Sequence, residues 1–135
     1  MSEATRAMAN SELNILLEEM LAPLGPVALR RMFGGYGIFL DGLMFGLVTG
    51  ERVYFKTDET GRAAFQAEGL GPFTYAKKGA PAVLTSYWQV PDRLFDEPDE
   101  LVDWARTAHR CAIDAQRAKR GKDRKVPSRA TRSRP

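Results

Sequence analysis

The sequence predicts an α+β domain of two layers, in which helices pack against one face of an antiparallel sheet. Apolar residues repeat at helical spacing near both ends of the chain, over residues 13–24 and 101–115. Between these segments, short alternating stretches are separated by glycine turns, which is typical of strands joined by hairpins. The expected order is a helix, a meander of three or four strands, a short helix, a two-stranded hairpin and a final helix.

The first helix is predicted to begin at Asn10 or Ser11, because either side chain can accept a hydrogen bond from an unpaired backbone N–H. Pro23 and the glycine and proline that follow it end the helix. Residues 1–9 are small and polar, and we expect them to be disordered. Six apolar residues share one predicted face of the helix: Leu13, Leu16, Leu17, Met20, Leu21 and Leu24.

The apolar period changes from helical to alternating over residues 27–56, which predicts the meander. Asp41-Gly42 is typical of a two-residue hairpin turn, because a type I′ turn needs positive φ at both positions. Gly34, Gly35 and Gly37 lie between two predicted strands. Phosphate-binding loops place their glycines before a helix, so a tight turn or close strand packing is the favoured interpretation here.

A short helix is predicted over residues 58–68, with Ala64, Phe65 and Ala67 buried and Gly69 as a left-handed stop. Residues 73–75 and 83–90 then form the second hairpin. Acidic residues and a proline mark the start of the last helix, since they suit the first turn of a helix. These acids are Asp96, Glu97, Asp99, Glu100 and Asp103, and we interpret them as a helix start, not as a metal or acid–base site.

The last helix is predicted to end near Lys119, and residues 120–135 are expected to form a disordered basic tail, because they contain almost no apolar residues. Residues 117–135 hold nine Lys and Arg and one acid, a net charge of +8, whereas residues 1–116 carry −5. Such a tail can simply aid solubility, or it can bind DNA or RNA without sequence preference. The candidate nucleic-acid contacts are Arg117, Lys119, Arg120, Lys122, Arg124, Lys125, Arg129, Arg132 and Arg134.

No catalytic residue, cofactor-binding residue or metal ligand is predicted. The single cysteine, Cys111, allows no intramolecular disulfide. The single histidine, His109, is two residues away on the same predicted helix, and the two side chains therefore face opposite sides and cannot act as a pair. We expect a solvent-facing histidine and a packed or idle cysteine.

Aromatic residues accompany two lysines in the second hairpin. Such residues on one sheet face can hold single-stranded nucleic acid, although packing in the core predicts the same pattern. Lys77 and Lys78 form a possible partner surface. The aromatic residues are Phe73, Tyr75, Tyr87 and Trp88.

Two further functions are left open by these residues. The first is a small-molecule-binding domain or an enzyme of unknown substrate, whose pocket would be walled by Tyr36, Tyr54, Tyr75 or Tyr87. The second is an oligomerisation domain, and a homodimer is possible.

A chain of 135 residues fits one domain. The N-terminus lacks the apolar segment of a secretory signal, and the apolar stretches are shorter than the ~20 residues of a membrane span. We therefore expect a cytoplasmic protein without a membrane contact.

Several segments together resemble the N-terminal domain of the TfoX/Sxy family of competence regulators. They are residues 32–39 (MFGGYGIF), 42–48, 52–58, 72–75, 86–91 (SYWQVP) and the helix around Trp104-Ala105. The resemblance runs from about residue 10 to residue 115 and identifies residues 10–119 as a TfoX N-terminal-like domain. It implies an α+β fold and no catalytic residues.

The resemblance also implies a role in transcription of DNA-uptake genes, where full-length members assist the cAMP receptor protein at promoters. We expect the separate C-terminal domain of those members to be absent here, with the basic tail in its place. The resulting hypothesis is a non-catalytic regulatory or adaptor protein. It would contact a protein partner from the transcription machinery or a regulator, and its tail would add non-specific nucleic-acid affinity.

Overall fold

The computed structural model describes residues 12–32 and 34–132, and for residues 122–132 it describes the backbone alone. The first helix, α1, covers residues 12–20. The strands are β1 (Ala28–Met32), β2 (Gly35–Leu40), β3 (Leu43–Thr49), β4 (Arg52–Lys56), β5 (Pro72–Lys77) and β6 (Ala80–Gln89). The remaining helices are α2 (Arg62–Ala67), a 3-10 helix (Asp92–Asp96) and α3 (Pro98–Arg132).

The six strands form one antiparallel sheet in the order β1-β2-β3-β4-β6-β5. This confirms the predicted α+β class, with a four-stranded meander and a separate hairpin. The sequence did not predict that β6, and not β5, lies beside β4. Only Tyr87, Trp88 and Gln89 of β6 have partners in β4. The rest of the β5–β6 hairpin, here called the hairpin arm (residues 73–84), extends past the end of β4.

Two hairpin turns place non-glycine residues at positive φ. In the turn between β2 and β3, Asp41 has φ 54° and Gly42 has φ 79°. At the tip of the hairpin arm, Lys78 and Gly79 have φ 53° and φ 80°. Both pairs have the backbone that a two-residue type I′ turn requires. The turn predicted at Asp41-Gly42 is therefore confirmed.

The helices pack on one face of the sheet and enclose the main core. Leu17 of α1, Leu21 just after it, Leu101 of α3, and Phe45 and Phe55 of the sheet are each fully buried there. Burying a side chain of this size stabilises a fold by about 1.5–3 kcal/mol. The α3 residues that face the strands at the next helical positions are small, namely Ala105, Ala108 and Ala112. Helix α3 can therefore lie close to β3 and β4.

Three predictions of buried residues are wrong. Leu16 is 40% exposed, because the chain buries Leu17 and Leu21, and Leu16 lies at the edge of that face. Ala64 and Ala67 are exposed, and within α2 the buried side chain is Phe65. The helix is also shorter than predicted, because the Asp58 carboxylate accepts a hydrogen bond from the Gly61 N–H at 2.8 Å and holds residues 58–61 in a turn.

Helix α3 begins at Pro98, next to the predicted acidic start, but it does not end near Lys119 as predicted. It continues to Arg132. Lys, Arg and Ala, which have high helix propensities, make up ten of the sixteen residues from 117 to 132, whereas Gly121 and Pro127 in the same segment disfavour a helix. The prediction of disorder relied on the scarcity of apolar residues and on Pro127 and Pro135. Residues 1–9 and Arg134 lie outside the described residues, and the division of the chain at residues 10 and 119 stays a prediction.

Candidate functional site

An apolar groove of about 460 Å³ lies on the sheet face away from the helices. The ends of β1, β2 and β3 line one side of it, and the hairpin arm lines the other. Its apolar lining includes Met32, Met44, Leu47, Phe73, Tyr75 and Leu84. The groove exists because the hairpin arm extends past β4 and faces the first three strands.

A β-bulge directs the side chains of β3 to the two faces of the sheet. Ile38 pairs with Gly46, but the next residue of β2 pairs with Met44, so that Phe45 is the extra residue. Phe45 joins the core under the helices, while Met44 and Leu47 belong to the cluster beneath the groove. Simple alternation along β3 fails across this bulge. The sequence therefore did not predict the methionine and leucine lining of the groove.

Gly37 leaves room for the two groove methionines. A Cβ at this position would lie 2.6 Å from the Met32 Sδ and 2.8 Å from the Met44 Sδ. Any side chain there would displace both thioethers. The glycine in this part of the sequence therefore serves close strand packing, in agreement with its predicted role.

The aromatic rings beside the groove pack mainly on one another. The Phe73 ring lies edge-on to Tyr54, with centroids 5.0 Å apart, and stacks on Tyr75 at 5.7 Å with 14° between the planes. Tyr87 is buried in the same cluster, and burial raises the pKa of its hydroxyl to about 12. Of the four tyrosines predicted to wall a pocket, Tyr36 and Tyr75 line the groove. Tyr54 and Tyr87 lie in the cluster beneath it.

The six strands contain five cationic residues and no acidic residue. The Arg30 guanidinium lies 4.9 Å from the Phe39 ring, and the Lys56 ammonium lies 5.0 Å from the Tyr87 ring. Arg52 pairs with Thr49, which lines the groove. Lys77 lies two positions beyond Tyr75 on β5 and therefore on the same face.

The aromatic cluster predicted in the second hairpin divides between two faces. Trp88 belongs to the core under the helices, and its Nε1–H donates to the Thr85 carbonyl oxygen at 2.9 Å. Phe73, Tyr75 and Tyr87 lie on the groove face. Lys77 and Lys78 are exposed at the tip of the hairpin arm, and their role as a partner surface stays a prediction.

The predicted nucleic-acid contacts follow the last part of α3. Among the described side chains of this helix, the half-buried ones end at Gln116, and Arg117, Lys119 and Arg120 are exposed. Residues 117–132 extend this helix by about 24 Å at 1.5 Å per residue. Lys122, Arg124, Lys125, Arg129 and Arg132 lie on this helical backbone. The segment of residues 117–132 is called the basic extension below.

Arg93 binds three carboxylates that come from different elements. Its guanidinium lies 2.6 Å from Glu68, 3.1 Å from Glu97 and 2.9 Å from Glu100. Arg93 lowers the pKa of Glu68 and, together with Glu97 and Trp104, lowers the pKa of Glu100 to about 2. The network joins the end of α2, the 3-10 helix and the start of α3. Two of the predicted helix-start acids, Glu97 and Glu100, thus also act as ion-pair partners.

The sequence predicts that His109 faces solvent. In the structure, however, His109 is half-buried against the sheet. Its Nε2 lies 3.1 Å from the Leu40 carbonyl oxygen, and its ring lies edge-on to Phe45. His109 follows Ala105 by four residues and precedes Ala112 by three, and it therefore shares their buried face. Cys111 is half-buried and free. The pKa of its thiol is raised, mainly by burial and to a lesser extent by the nearby Asp58 carboxylate.

A second cavity of about 320 Å³ lies between α2 and α3, with Thr57, Phe65, Asp103 and Trp104 among its lining residues. Among the residues whose side chains are described, no three His, Cys, Asp or Glu lie close enough to hold a metal ion. Within the described part of the chain, no helix combines the length and apolar character needed to cross a membrane.

Comparison with known proteins gives two agreeing matches. The family model of the TfoX N-terminal domain matches residues 19–112. The chain is also 34% identical over 79 residues to the DNA transformation protein TfoX1 of Aliivibrio fischeri (strain ATCC 700601 / ES114). This match covers 58% of the chain and 37% of that relative, so that the similarity spans little more than a third of the relative's length.

The family match includes the strands β1 to β6, both sides of the groove and the part of α3 that packs on the sheet. It confirms the resemblance that the MFGGYGIF and SYWQVP segments indicate. The chain belongs to the TfoX N-terminal domain family.

Proposed function

We propose that this chain is a non-catalytic regulatory adaptor that contacts a protein partner and controls the expression of DNA-uptake genes. The observation that carries this proposal is the family match over residues 19–112, together with the relative that is named a DNA transformation protein. The partner belongs to the transcription machinery or is a transcription regulator. The proposal places the protein in the cytoplasm, where such a partner acts.

The basic extension supports a second contact, with nucleic acid. Its side chains at Arg117, Lys119 and Arg120 are exposed, and the helix continues through further Lys and Arg residues to Arg132. Phosphates attract such a row of cations through counterion release, which carries no sequence information. The adaptor would thus hold nucleic acid without sequence preference, while the domain supplies the specific contact.

The regulatory role is tested in the organism that encodes this chain. The gene is deleted, transcripts of DNA-uptake genes are measured under competence-inducing conditions, and the full chain is returned on a plasmid. We expect the transcripts to fall on deletion and to recover with the full chain. A destabilised variant with a large-to-small core change, such as Phe55→Ala, is the control for a chain that does not fold. Transcripts that are unchanged by deletion would contradict the proposed function.

A further inference from the structure

We propose that the apolar groove is the docking site for an acidic amphipathic segment of a protein partner. This inference rests on the proposed function, because it names the surface that the partner uses. The groove measures about 460 Å³, which lies within the range of about 300–1,000 Å³ found for ligand sites. Met32 and Met44 line it beside Leu47 and Leu84. Methionine side chains adapt to irregular partners, as in other peptide-binding surfaces.

The charge around the groove selects an anionic occupant. Arg30, Arg52 and Lys77 occupy positions on the groove face, and no strand contributes an Asp or Glu to either face. Lys56 shares this face through its pairing with Tyr87, but it also lines the cavity between α2 and α3. Two of these cations already lie over aromatic rings of that face, Arg30 over Phe39 and Lys56 over Tyr87. A partner segment with acidic residues beside its apolar ones would match this cationic rim, whereas a basic segment would be repelled.

The packing of the rings favours a peptide over nucleic-acid bases. Base stacking requires open ring faces. One face of Tyr75 is covered by Phe73, while Phe73 also meets Tyr54 edge-on. The rings of Phe39 and Tyr87 are covered by cations. Between these rings, the groove presents the aliphatic and thioether groups of Met32, Met44, Leu47 and Leu84. Such a surface suits apolar side chains at i, i+3, i+4 and i+7 of a docked helix.

Two matched pairs of substitutions separate the groove from the rest of the surface. Tyr75 is 39% exposed on the groove wall, and Val83 is 52% exposed on the hairpin arm, where its partner is Thr74 and it therefore points to the opposite face. Tyr75→Glu places a negative charge in the groove, and Val83→Glu places one outside it. Lys77→Glu reverses a rim charge, and Arg110→Glu reverses an exposed charge on α3.

The test is selection of a displayed library of random 12-residue peptides on the full chain, followed by affinity measurement of the enriched peptides. We expect enriched sequences to combine Leu, Ile, Phe, Met or Trp with Asp and Glu. Tyr75→Glu should weaken their binding by at least about tenfold, as loss of a central anchor does, while Val83→Glu should leave it unchanged. Lys77→Glu should weaken binding by several-fold and Arg110→Glu should not. The thermal midpoint of each variant shows whether it is folded.

Four results would overturn the proposal. They are no enrichment, enrichment of basic peptides, binding that folded Tyr75→Glu retains, and displacement of the peptides by a 15-nucleotide single strand but not by an acidic peptide. The last result would assign the groove to nucleic acid. A groove that binds peptides in a chain whose deletion leaves DNA-uptake transcripts unchanged would contradict the proposed function alone. A failed selection with a normal transcript response would contradict the docking site alone.

Discussion

The Nε2–H of His109 donates a hydrogen bond to the carbonyl oxygen of Leu40 over 3.1 Å. The bond joins the first half of α3 to the end of β2, where the next residues form the Asp41-Gly42 turn. The ring also lies edge-on to Phe45, with centroids 5.8 Å apart. One side chain thus connects the helix layer to the bulged strand that separates the core from the groove.

Replacing His109 with alanine removes both interactions. We expect His109→Ala to lower the free energy of unfolding by about 1–3 kcal/mol, because the hydrogen bond to a half-buried carbonyl and the packing of the ring are both removed. Urea denaturation followed by circular dichroism measures this change. His109→Gln keeps a donor and should recover part of the stability. An unfolding free energy that is unchanged in His109→Ala would show that the bond does not hold α3 to the sheet.

The Arg93 network predicts a specific dependence of stability on acid. Arg93 holds the pKa of Glu100 at about 2, below the ordinary value of 4.5, and also lowers that of Glu68. Because these pKa values are depressed in the folded state, their contribution is present above pH 4.5 and is lost as the pH falls toward 2. Arg93→Met should flatten the loss of stability across this window and raise the pKa of Glu100.

Thermal unfolding between pH 2 and pH 6, together with titration of the glutamate carboxyl carbons by NMR, measures this effect. Arg106→Met is a matched control, because Arg106 forms a single exposed pair with Asp103. A Glu100 pKa that is equally low in Arg93→Met would contradict the assigned cause. A flat wild-type profile between pH 4.5 and pH 2 would also contradict it.

Gly35 is predicted to tolerate no side chain. A Cβ at this position would fall on the carbonyl oxygen of Val48 in the neighbouring strand, and the glycine does not have positive φ, so that the clash is purely steric. We expect Gly35→Ala to destabilise the fold by about 1–3 kcal/mol or more, as other overpacked sites do. Gly71→Ala is the matched control, since a Cβ there meets no atom within 4 Å. Equal unfolding free energies for the two variants would show that β2 and β3 can separate locally.

Local patterns in the sequence were sufficient to predict the type and the order of the helices and strands. Asp41-Gly42 indicates its turn because two positive φ angles are required there, and the acids before Leu101 indicate the start of α3. These signals depend on neighbours in the chain, which the sequence shows directly. The family resemblance, carried by the MFGGYGIF and SYWQVP segments, was likewise readable and is confirmed by the match over residues 19–112.

The groove could not be predicted, because it depends on contacts between distant residues. The two sides of the groove meet only because β6 lies beside β4. Met44 and Leu47 reach the groove face together only because Phe45 is the extra residue of the bulge. Periodicity shows neither feature. The burial of His109 was missed for a related reason, since the sequence shows that it shares a helix face with Ala105 and Ala112 but not how wide the buried face is. Residues 120–135 were expected to be disordered because they hold few apolar residues and two prolines, whereas the helix α3 continues to Arg132.

The proposed affinity for nucleic acid depends on the positive charge that is concentrated in residues 117–135. The most direct test is the affinity of the full chain for a short duplex, measured at several salt concentrations. The compared variant has glutamine at Lys122, Arg124, Lys125, Arg129, Arg132 and Arg134, and the control has glutamine at Arg106 and Arg110. We predict that the log–log slope of the first variant is shallower by as much as about 5, at roughly 0.9 for each phosphate that is no longer neutralised, and that the control slope is unchanged. A slope and an affinity that stay the same after all six substitutions would contradict the claim.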